Sequence, residues 1–350
     1  MNLEEKIGQL FIVGFEGTEL SESIAGLIKQ EKIGGVILFS RNYKDIQQLV
    51  KLINDLQTCS LESQGVPLFV SVDQEGGRVL RFGTPFTQFP PCVALGVSND
   101  ENRTKSYARS LARELKACGI NMNYAPVLDI LTNKENKVIG DRAFGSDPEL
   151  VACHGNIVIK EFLNQNLIPV GKHFPGHGET SGDSHIELPE VDTDIEHLKT
   201  LETMPFQKAI QNGLEVIMTA HVKYHRIDPL FPATLSRTIL TRFLKEELGF
   251  QGLIITDDLE MKAVERYYPE EEIPVLAVLA GADCLLVCHN YDKQQTFIKG
   301  LKTAVRKGVI PEKKIQESFD KITDLKKRFL IPFQKINDRE ALKILTATQE

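Results

Sequence analysis

The sequence predicts an α/β fold, a single (β/α)8 TIM-like barrel with a short helical extension at its C-terminus. Eight short apolar runs recur along the 350 residues, with helix-patterned segments between them. The runs are rich in valine, isoleucine, leucine and phenylalanine and do not alternate with polar residues, as expected of parallel strands covered on both faces. Eight strands, each followed by a helix, fit a barrel better than an open doubly wound sheet, which stays the alternative.

The predicted strands are residues 10–15, 35–39, 68–72, 120–124, 167–171, 214–219, 253–256 and 283–287. The main predicted helices are residues 45–56, 105–117, 149–165, 198–212 and 238–248. Gly119, Gly213 and Gly249 each follow one of these helices. Glycine is favoured just beyond a helix C-terminus, so these three residues support the predicted helix ends.

The C-terminal part of the chain adds helical structure outside the barrel. The barrel core is expected over about residues 6–306, and a charged helix follows at residues 311–330. Residues 331–350 predict a tail or a last helix packed on the outside. No linker separates these parts, so one domain over residues 1–350 is expected.

Polar residues fall at or just after the carboxyl ends of the predicted strands. In a barrel those ends converge on one pocket, whereas in an open sheet they would be spread along an edge. The residues are Ser40, Arg41, Asp73, Asp129, Lys172, His173, His221, Asp257 and His289. Their placement favours the barrel and predicts where the functional site lies.

Composition and charge exclude several classes of protein. The formal net charge is −7, and no basic run could neutralise a phosphate backbone, which argues against nucleic acid as a partner. No apolar run approaches the roughly 20 residues needed to cross a bilayer, and the N-terminus lacks a signal-peptide pattern. The six cysteines are scattered, as expected of reduced thiols. We therefore expect a cytoplasmic protein without a membrane partner, whose oligomeric state is left open.

The stretch from Gly171 to Pro189 concentrates the candidate chemistry. It holds three of the eight histidines: His173 lies where a predicted strand ends, and His177 and His185 lie on the glycine-rich loop beyond it. Asp183 and His185 are two residues apart, a spacing that lets the carboxylate fix the tautomer of the imidazole and favour its protonated form. On spacing alone, an incidental surface histidine stays the simpler interpretation.

Neither a metal nor a cofactor is predicted. His173 and His177 are four residues apart, a spacing that brings ligands together on a helix, but the proline and glycine between them interrupt any helix. Cys284 and Cys288 lie in or next to a predicted buried strand, where residues on one face are too far apart to chelate one ion.

Asp257 is the strongest candidate for a catalytic carboxylate. It directly follows a buried strand, and because burial of an unpaired carboxylate is costly, it is expected to face the mouth of the barrel. Asp258 is interpreted instead as the cap of a helix that starts near Leu259, since aspartate is a favoured N-cap residue.

Two other stretches supply polar groups. Asp73 follows the third predicted strand and can accept hydrogen bonds from hydroxyl groups. The glycines after it do not form a phosphate loop, because neither glycine-rich phosphate pattern is present. Arg142 lies in a long loop, where an arginine by itself is more often a solvated charge.

Taken together, these stretches resemble one family. The motifs are Lys-His-Phe-Pro-Gly-His-Gly from Lys172, Asp-Ser-His from Asp183, Asp-Gln-Glu-Gly-Gly-Arg from Asp73, Gly-Asp-Arg-Ala-Phe-Gly from Gly140 and Thr-Asp-Asp-Leu-Glu-Met from Thr256. In content and order they are similar to the β-N-acetylhexosaminidases of glycoside hydrolase family 3, of the NagZ type that acts in peptidoglycan recycling. The resemblance covers about residues 6–306.

The resemblance implies a retaining exo-β-N-acetylglucosaminidase that works through a covalent glycosyl-aspartate intermediate. It implies Asp257 as the nucleophile, His185 as the general acid and base, and Asp183 as the partner that orients it. Retaining hydrolysis needs such a pair, a carboxylate below the anomeric carbon and a proton donor above it. The residues implied to hold the sugar are Asp73, Arg81, Arg142, Lys172 and His173. The implied partner is a small carbohydrate, an N-acetylglucosamine-terminated glycoside or muropeptide fragment.

Other functions stay open on the sequence. A histidine acid does not repel phosphate as a carboxylate would, so an N-acetylglucosaminide phosphorylase, or another β-glycosidase of the same family, is the main alternative. A metal-dependent hydrolase and a non-catalytic sugar-binding protein are two more. Asp257, Asp183 and His185 occurring together argue against the last of these.

Overall fold

Short parallel strands form the centre of the molecule. The computed structural model describes residues 1–182, 184 and 187–347, so Asp183 and His185 lie outside the described residues. The strands are β1 (Phe11–Val13), β2 (Gly35–Leu38), β3 (Phe69–Val72), β4 (Met122–Asn123), β5 (Ile168–Pro169), β6 (Gly171–Phe174), β7 (Glu190–Val191), β8 (Val216–Thr219), β9 (Lys223–Tyr224), β10 (Leu253–Ile255) and β11 (Leu285–Val287). Each predicted apolar run contains at least one of these strands.

The parallel strands close into a ring. Within the described part of the chain, one sheet has the order β11-β1-β2-β3-β4-β5 and a second has the order β10-β8-β6. Val127 pairs in parallel with Lys172, and Ile255 pairs in parallel with Cys284, so the two sheets join at both edges. The side chains of β1, β2 and β11 are buried, as they must be when helices cover the outside and the core fills the inside. The predicted barrel is confirmed.

Helices surround the ring and reverse the chain between strands. The α-helices are α1 (Leu3–Gln9), α2 (Glu22–Gly26), α3 (Ile46–Gln64), α4 (Cys92–Ser98), α5 (Glu101–Ala117), α6 (Pro148–Asn164), α7 (Ile195–His197), α8 (Met204–Gln211), α9 (Lys262–Glu265), α10 (Ile273–Ala280), α11 (Tyr291–Arg306), α12 (Glu312–Leu330) and α13 (Asp338–Ala347). π-Helical segments span Leu27–Glu31, Leu198–Glu202 and Thr238–Glu247, and 3₁₀ turns span Ser40–Asn42, Gly140–Arg142 and Ala233–Leu235. No helix among the described residues combines the length and the apolar character needed to cross a membrane.

Several predicted helix boundaries agree with the structure, but α3 extends to Gln64, where Gly65 follows it, and α5 already begins at Glu101, after its N-cap Asp100. Asp45 caps α3 by accepting a hydrogen bond from the backbone N–H of Gln48. Gly119, Gly213 and Gly249 have positive φ angles of 95°, 92° and 70°, which glycine adopts without strain. α13 packs on α3 and α5 and buries its apolar residues there, so the expected last helix does lie outside the barrel.

The predicted strand at residues 167–171 is wrong at its end. β5 pairs with β4, and β6 continues along the segment that follows β4, through the parallel pair of Val127 with Lys172, while its other edge pairs with β8. Lys172 and His173, which were predicted to lie where the strand ends, therefore lie within β6, which runs to Phe174. The two-residue strands β7 and β9 were not predicted because they are too short for a periodic pattern.

Candidate active site

A cavity of about 670 Å³ opens at the carboxyl ends of the strands. This volume lies within the range of small-molecule sites, and the position is the usual one for the active site of a barrel. Every described residue that the sequence predicted for the site lines this cavity. These residues are Asp73, Arg81, Arg142, Lys172, His173 and Asp257.

Charged side chains from two strands and one loop neutralise each other in the wall of the cavity. The Nζ atom of Lys172, in β6, lies 2.7 Å from Oδ1 of Asp73 and 2.5 Å from Oε1 of Glu75, after β3. Arg142 comes from the 3₁₀ turn in the loop after β4, and its Nε and Nη2 atoms each lie 2.8 Å from Glu75. Lys172 and Glu75 are 1% and 2% exposed, so their charges are stabilised by the opposite charges beside them and not by water.

The ion pairs keep both carboxylates ionised. Burial alone would raise the pKa of Glu75, but the positive charges of Arg142 and Lys172 outweigh it and hold the pKa well below its usual range. In the same way, Lys172 and Arg81 outweigh burial and lower the pKa of Asp73. Among the described residues, the Oδ2 atom of Asp73 has one polar contact, a long one of 3.4 Å to Arg81, so this ionised oxygen can accept a hydrogen bond from a hydroxyl group.

Asp129 holds His173 in place. The Oδ2 atom of Asp129 lies 2.7 Å from Nδ1 of His173, and its Oδ1 atom accepts a hydrogen bond of 2.7 Å from the backbone N–H of His177. The Nε2 atom of His173 lies 3.4 Å from Nη2 of Arg142, which can only donate. In this arrangement Nδ1 carries the proton and Nε2 accepts. Asp129 follows a strand in the sequence, but nothing there indicated its partner.

His177 anchors the start of the loop that carries the predicted dyad. Its Nδ1 atom lies 2.8 Å from Oγ1 of Thr180, and its Nε2 atom lies 3.1 Å from Oγ of Ser184. Burial and the neighbouring His173 lower the pKa of His177 to about 4, so this ring is neutral at physiological pH. Gly182 and Ser184 line the cavity; in the sequence Gly182 precedes Asp183, and Ser184 lies between Asp183 and His185.

The two adjacent aspartates after β10 differ in charge. Burial would raise the pKa of Asp257, but His221, His173 and a hydrogen bond from the backbone N–H of Asp258 lower it below its usual value. Burial and the nearby Glu260 raise the pKa of Asp258 to about 8. At neutral pH, Asp257 is therefore a carboxylate and Asp258 is mostly a neutral acid.

The predicted capping role of Asp258 is wrong. α9 begins at Lys262, with Met261 as its N-cap, and no helix begins near Leu259. The Oδ1 atom of Asp258 instead accepts hydrogen bonds of 3.1 Å from the backbone N–H groups of Glu260 and Cys288. The side chain thus closes a turn and links the loop after β10 to the end of β11, which the sequence could not indicate.

Two other residues at strand ends, His221 and Arg41, contact the backbone around the site. His221 is fully buried, with Nε2 2.9 Å from the carbonyl oxygen of Asp258. At the rim, Arg41 donates to the carbonyl oxygen of Cys288 and lies over the ring of Phe39, 4.4 Å from its centroid. On the opposite rim, the exposed Lys137 lines the cavity, although no motif in the sequence pointed to it.

The buried ion pairs predict a large stability effect at one lysine. In a Lys172→Met variant, Asp73 and Glu75 lose the cation that they share. We expect the free energy of unfolding to fall by about 3 kcal/mol. This value lies in the lower part of the range for a broken buried ion pair, because Arg81 and Arg142 still pair with the two carboxylates. Urea unfolding measures this change. Lys137→Met, on the exposed rim of the same cavity, is the matched control and should change stability by less than about 0.5 kcal/mol. Equal losses in the two variants would contradict the inferred role of Lys172.

Comparison with known protein families identifies a match over most of the chain. The family described as glycosyl hydrolase family 3 N terminal domain matches residues 2–325. A β-hexosaminidase of Nitrosomonas eutropha is 39% identical over 293 residues, which cover 82% of each chain.

Solved structures agree with this match. A glycoside hydrolase family 3 β-N-acetylglucosaminidase of Paenibacillus sp. FPU-7 superposes with a TM-score of 0.92 at 39% identity, over 99% of this chain and 68% of the other. A β-N-acetylhexosaminidase of Beutenbergia cavernae superposes with a TM-score of 0.87 at 28% identity, over 93% of this chain and 98% of the other.

Proposed function

Because the chain belongs to glycosyl hydrolase family 3, we propose that it is a retaining exo-β-N-acetylglucosaminidase. In this proposal Asp257 attacks the anomeric carbon and forms a covalent glycosyl-aspartate intermediate, which water then hydrolyses. The observation that carries the assignment is the contrast between the two adjacent aspartates in the cavity. Of this pair, Asp257 alone has the lowered pKa that keeps a nucleophile ionised at neutral pH.

We assign proton transfer to His185, with Asp183 as the group that orients its ring. The described residues that flank this dyad support the assignment, because Gly182 and Ser184 line the same cavity as Asp257. An imidazolium donates its proton to the leaving oxygen in the first step, and the neutral imidazole takes a proton from water in the second. The two steps together leave His185 in the protonation state in which it began.

The sugar would be held by the charged wall of the cavity. Asp73 offers an ionised oxygen to a hydroxyl group, and Lys172 and His173 line the same cavity as Asp73 and Asp257. Arg81 contributes a guanidinium group whose buried Nε atom has no hydrogen-bond partner among the described residues. A sugar hydroxyl that accepts from this N–H would remove the cost of leaving it unpaired. Arg142 acts mainly by holding Glu75.

We also propose that the substrates are fragments of peptidoglycan, turned over in the cytoplasm. Lys137 offers an exposed ammonium group at the rim of the cavity, where it can pair with a carboxylate of a muropeptide. All six cysteines are free thiols, and all except Cys153 are buried, as suits a reducing compartment.

A panel of aryl β-glycosides tests the proposed activity. We expect kcat/KM for the N-acetylglucosaminide to exceed the values for the glucoside and the xyloside by at least about tenfold, because the acetamido group adds contacts in the site. Added phosphate should change neither the rate nor the product, which is free N-acetylglucosamine. A phosphate-dependent rate with a sugar 1-phosphate as product would identify the phosphorylase alternative, and a preference for the glucoside would contradict the proposed substrate.

A further inference from the structure

Three side chains with metal-binding atoms meet below the loop that follows β6. Glu179 lies on this loop, His197 is the last residue of α7, and Glu202 ends the π-helical segment that follows. One carboxylate oxygen of each glutamate and one ring nitrogen of His197 all lie within 4.8 Å of one another. Sequence spacing did not indicate this arrangement, since the three residues have no metal-binding spacing.

Glu202 is the residue that most needs a partner. It is 2% exposed, and its Oε1 atom accepts one hydrogen bond of 3.2 Å from Thr132. Its Oε2 atom, like Oε2 of Glu179, is buried and has no hydrogen-bond partner among the described residues. An unpaired buried carboxylate oxygen carries a substantial desolvation cost, so a group that fills this place would be bound favourably.

The charges around Glu202 show which kind of group is needed. Among the described residues, the groups that act on its carboxyl are Glu179, Thr132 and Asp129, and none of them is a cation. Glu179 and Asp129 instead place negative charge beside this buried carboxyl. A cation between the two glutamates would remove this repulsion and satisfy both unpaired oxygens.

We propose that Glu179, His197 and Glu202 bind one divalent transition-metal ion of the zinc type. Two carboxylate oxygens and one imidazole nitrogen are a ligand set that suits zinc, whereas magnesium prefers oxygen ligands alone. Two ligand atoms on a tetrahedral zinc ion are about 3.4 Å apart, given bonds of about 2.1 Å. The set therefore closes around the ion by movements of about 1 Å, which the exposed side chain of His197 can make. A water molecule would complete the coordination.

The ion would fix the base of the loop that carries the proposed dyad. Glu179 precedes Asp183 on this loop, whereas His197 and Glu202 belong to the helical segment packed beneath it. The backbone of Gly176, at the start of the loop, lies close to Glu202: a Cβ atom on Gly176 would be 2.9 Å from Oε2 of Glu202. One ion would thus link the loop to this helical segment. The role is structural, and it does not depend on the proposed hydrolysis.

Zinc titration of the chelator-treated, dialysed full chain tests the site. We expect calorimetry to show one site with a dissociation constant in the micromolar range or below, and saturating zinc to raise the melting temperature. His197→Ala and Glu202→Gln should each weaken binding by at least about tenfold. Glu202→Gln keeps the shape and the bond from Thr132, and His197 is at the surface, so both variants should fold. Magnesium at the same concentration should neither bind comparably nor compete.

Two control variants locate the ion. His225→Ala removes another exposed histidine, which pairs with Glu190 outside the cluster, and should bind zinc as the unaltered protein does. His185→Ala should also retain the site. The proposal is overturned if the unaltered protein binds no zinc, or if His197→Ala binds zinc as tightly as the unaltered protein does. Equal competition by magnesium would also overturn it. Loss of binding only in His185→Ala would overturn it too, because that result would place the ion at the dyad.

Discussion

An Asp257→Ala variant is expected to lose on the order of 10⁴-fold or more in kcat/KM for an aryl β-N-acetylglucosaminide, the scale seen when a covalent nucleophile is removed. Its carboxylate is the ionised member of the adjacent pair after β10, whereas Asp258 is mostly neutral and a poor nucleophile. The fold should be retained, because among the described residues the Asp257 carboxylate accepts one hydrogen bond, from the adjacent backbone N–H of Asp258. Steady-state kinetics and a melting curve measure the two expectations.

Asp258→Asn is the matched control for this variant. Asp258 is mostly neutral at pH 7, and an asparagine oxygen can accept the same hydrogen bonds from Glu260 and Cys288. Its loss of kcat/KM should stay within about tenfold. Azide added to Asp257→Ala should restore release of a good aryl leaving group and give the α-glycosyl azide, because the anion attacks from the side that the carboxylate occupied. Equal losses in the two variants, or no azide product, would reject Asp257 as the nucleophile.

A His185→Ala variant is expected to lose activity in a way that depends on the leaving group. A dinitrophenolate departs without a proton, whereas the alkoxide of a natural disaccharide needs one, so the loss should be about 10²- to 10⁴-fold on the disaccharide and much smaller on the activated glycoside. Asp183→Ala should show the same pattern in a weaker form, since the imidazole stays but is no longer held. Values of kcat/KM for both substrates measure the difference.

Arg81→Ala provides the comparison for a residue that binds without transferring a proton. It lines the cavity and should lower kcat/KM for both substrates by similar factors. Lys172→Ala serves less well here, because its loss would also expose two buried carboxylates to each other. A His185→Ala loss that is equal across leaving groups would remove this residue as the acid and leave its loop as a cover for the substrate.

The barrel could be predicted from the sequence because its signals are local. Each strand is an apolar run of a few residues, and glycines or aspartates mark several helix ends, as Asp45 and Gly119 do. The continuation of the predicted strand through β6 was missed because Lys172 and His173 are not apolar, and their pairing depends on residues distant in sequence. The capping role predicted for Asp258 was wrong for a related reason, since its Oδ1 atom accepts a hydrogen bond from the backbone N–H of Cys288, directly after β11.

The site was predictable as a set of positions but not as a set of contacts. Strand ends converge in a barrel, so Asp73, Lys172 and Asp257 could be placed in one pocket from their positions alone. That Glu75 would pair with Arg142, 67 residues away, follows only from the folded loops. The cluster of Glu179, His197 and Glu202 could not be predicted from the sequence for the same reason.

The charged wall of the cavity limits how the sugar preference of this barrel can change by mutation. The side chains of this wall form ion pairs with one another: Lys172 with Asp73 and Glu75, and Arg142 with Glu75. A replacement of one of them that suits a new pattern of hydroxyl groups therefore breaks an ion pair of another. Substitutions within one such network deviate from additivity by about 0.5–3 kcal/mol, and their effects depend on the order in which they occur. A new specificity would have to arise through paired replacements or begin at the rim, where Lys137 is exposed.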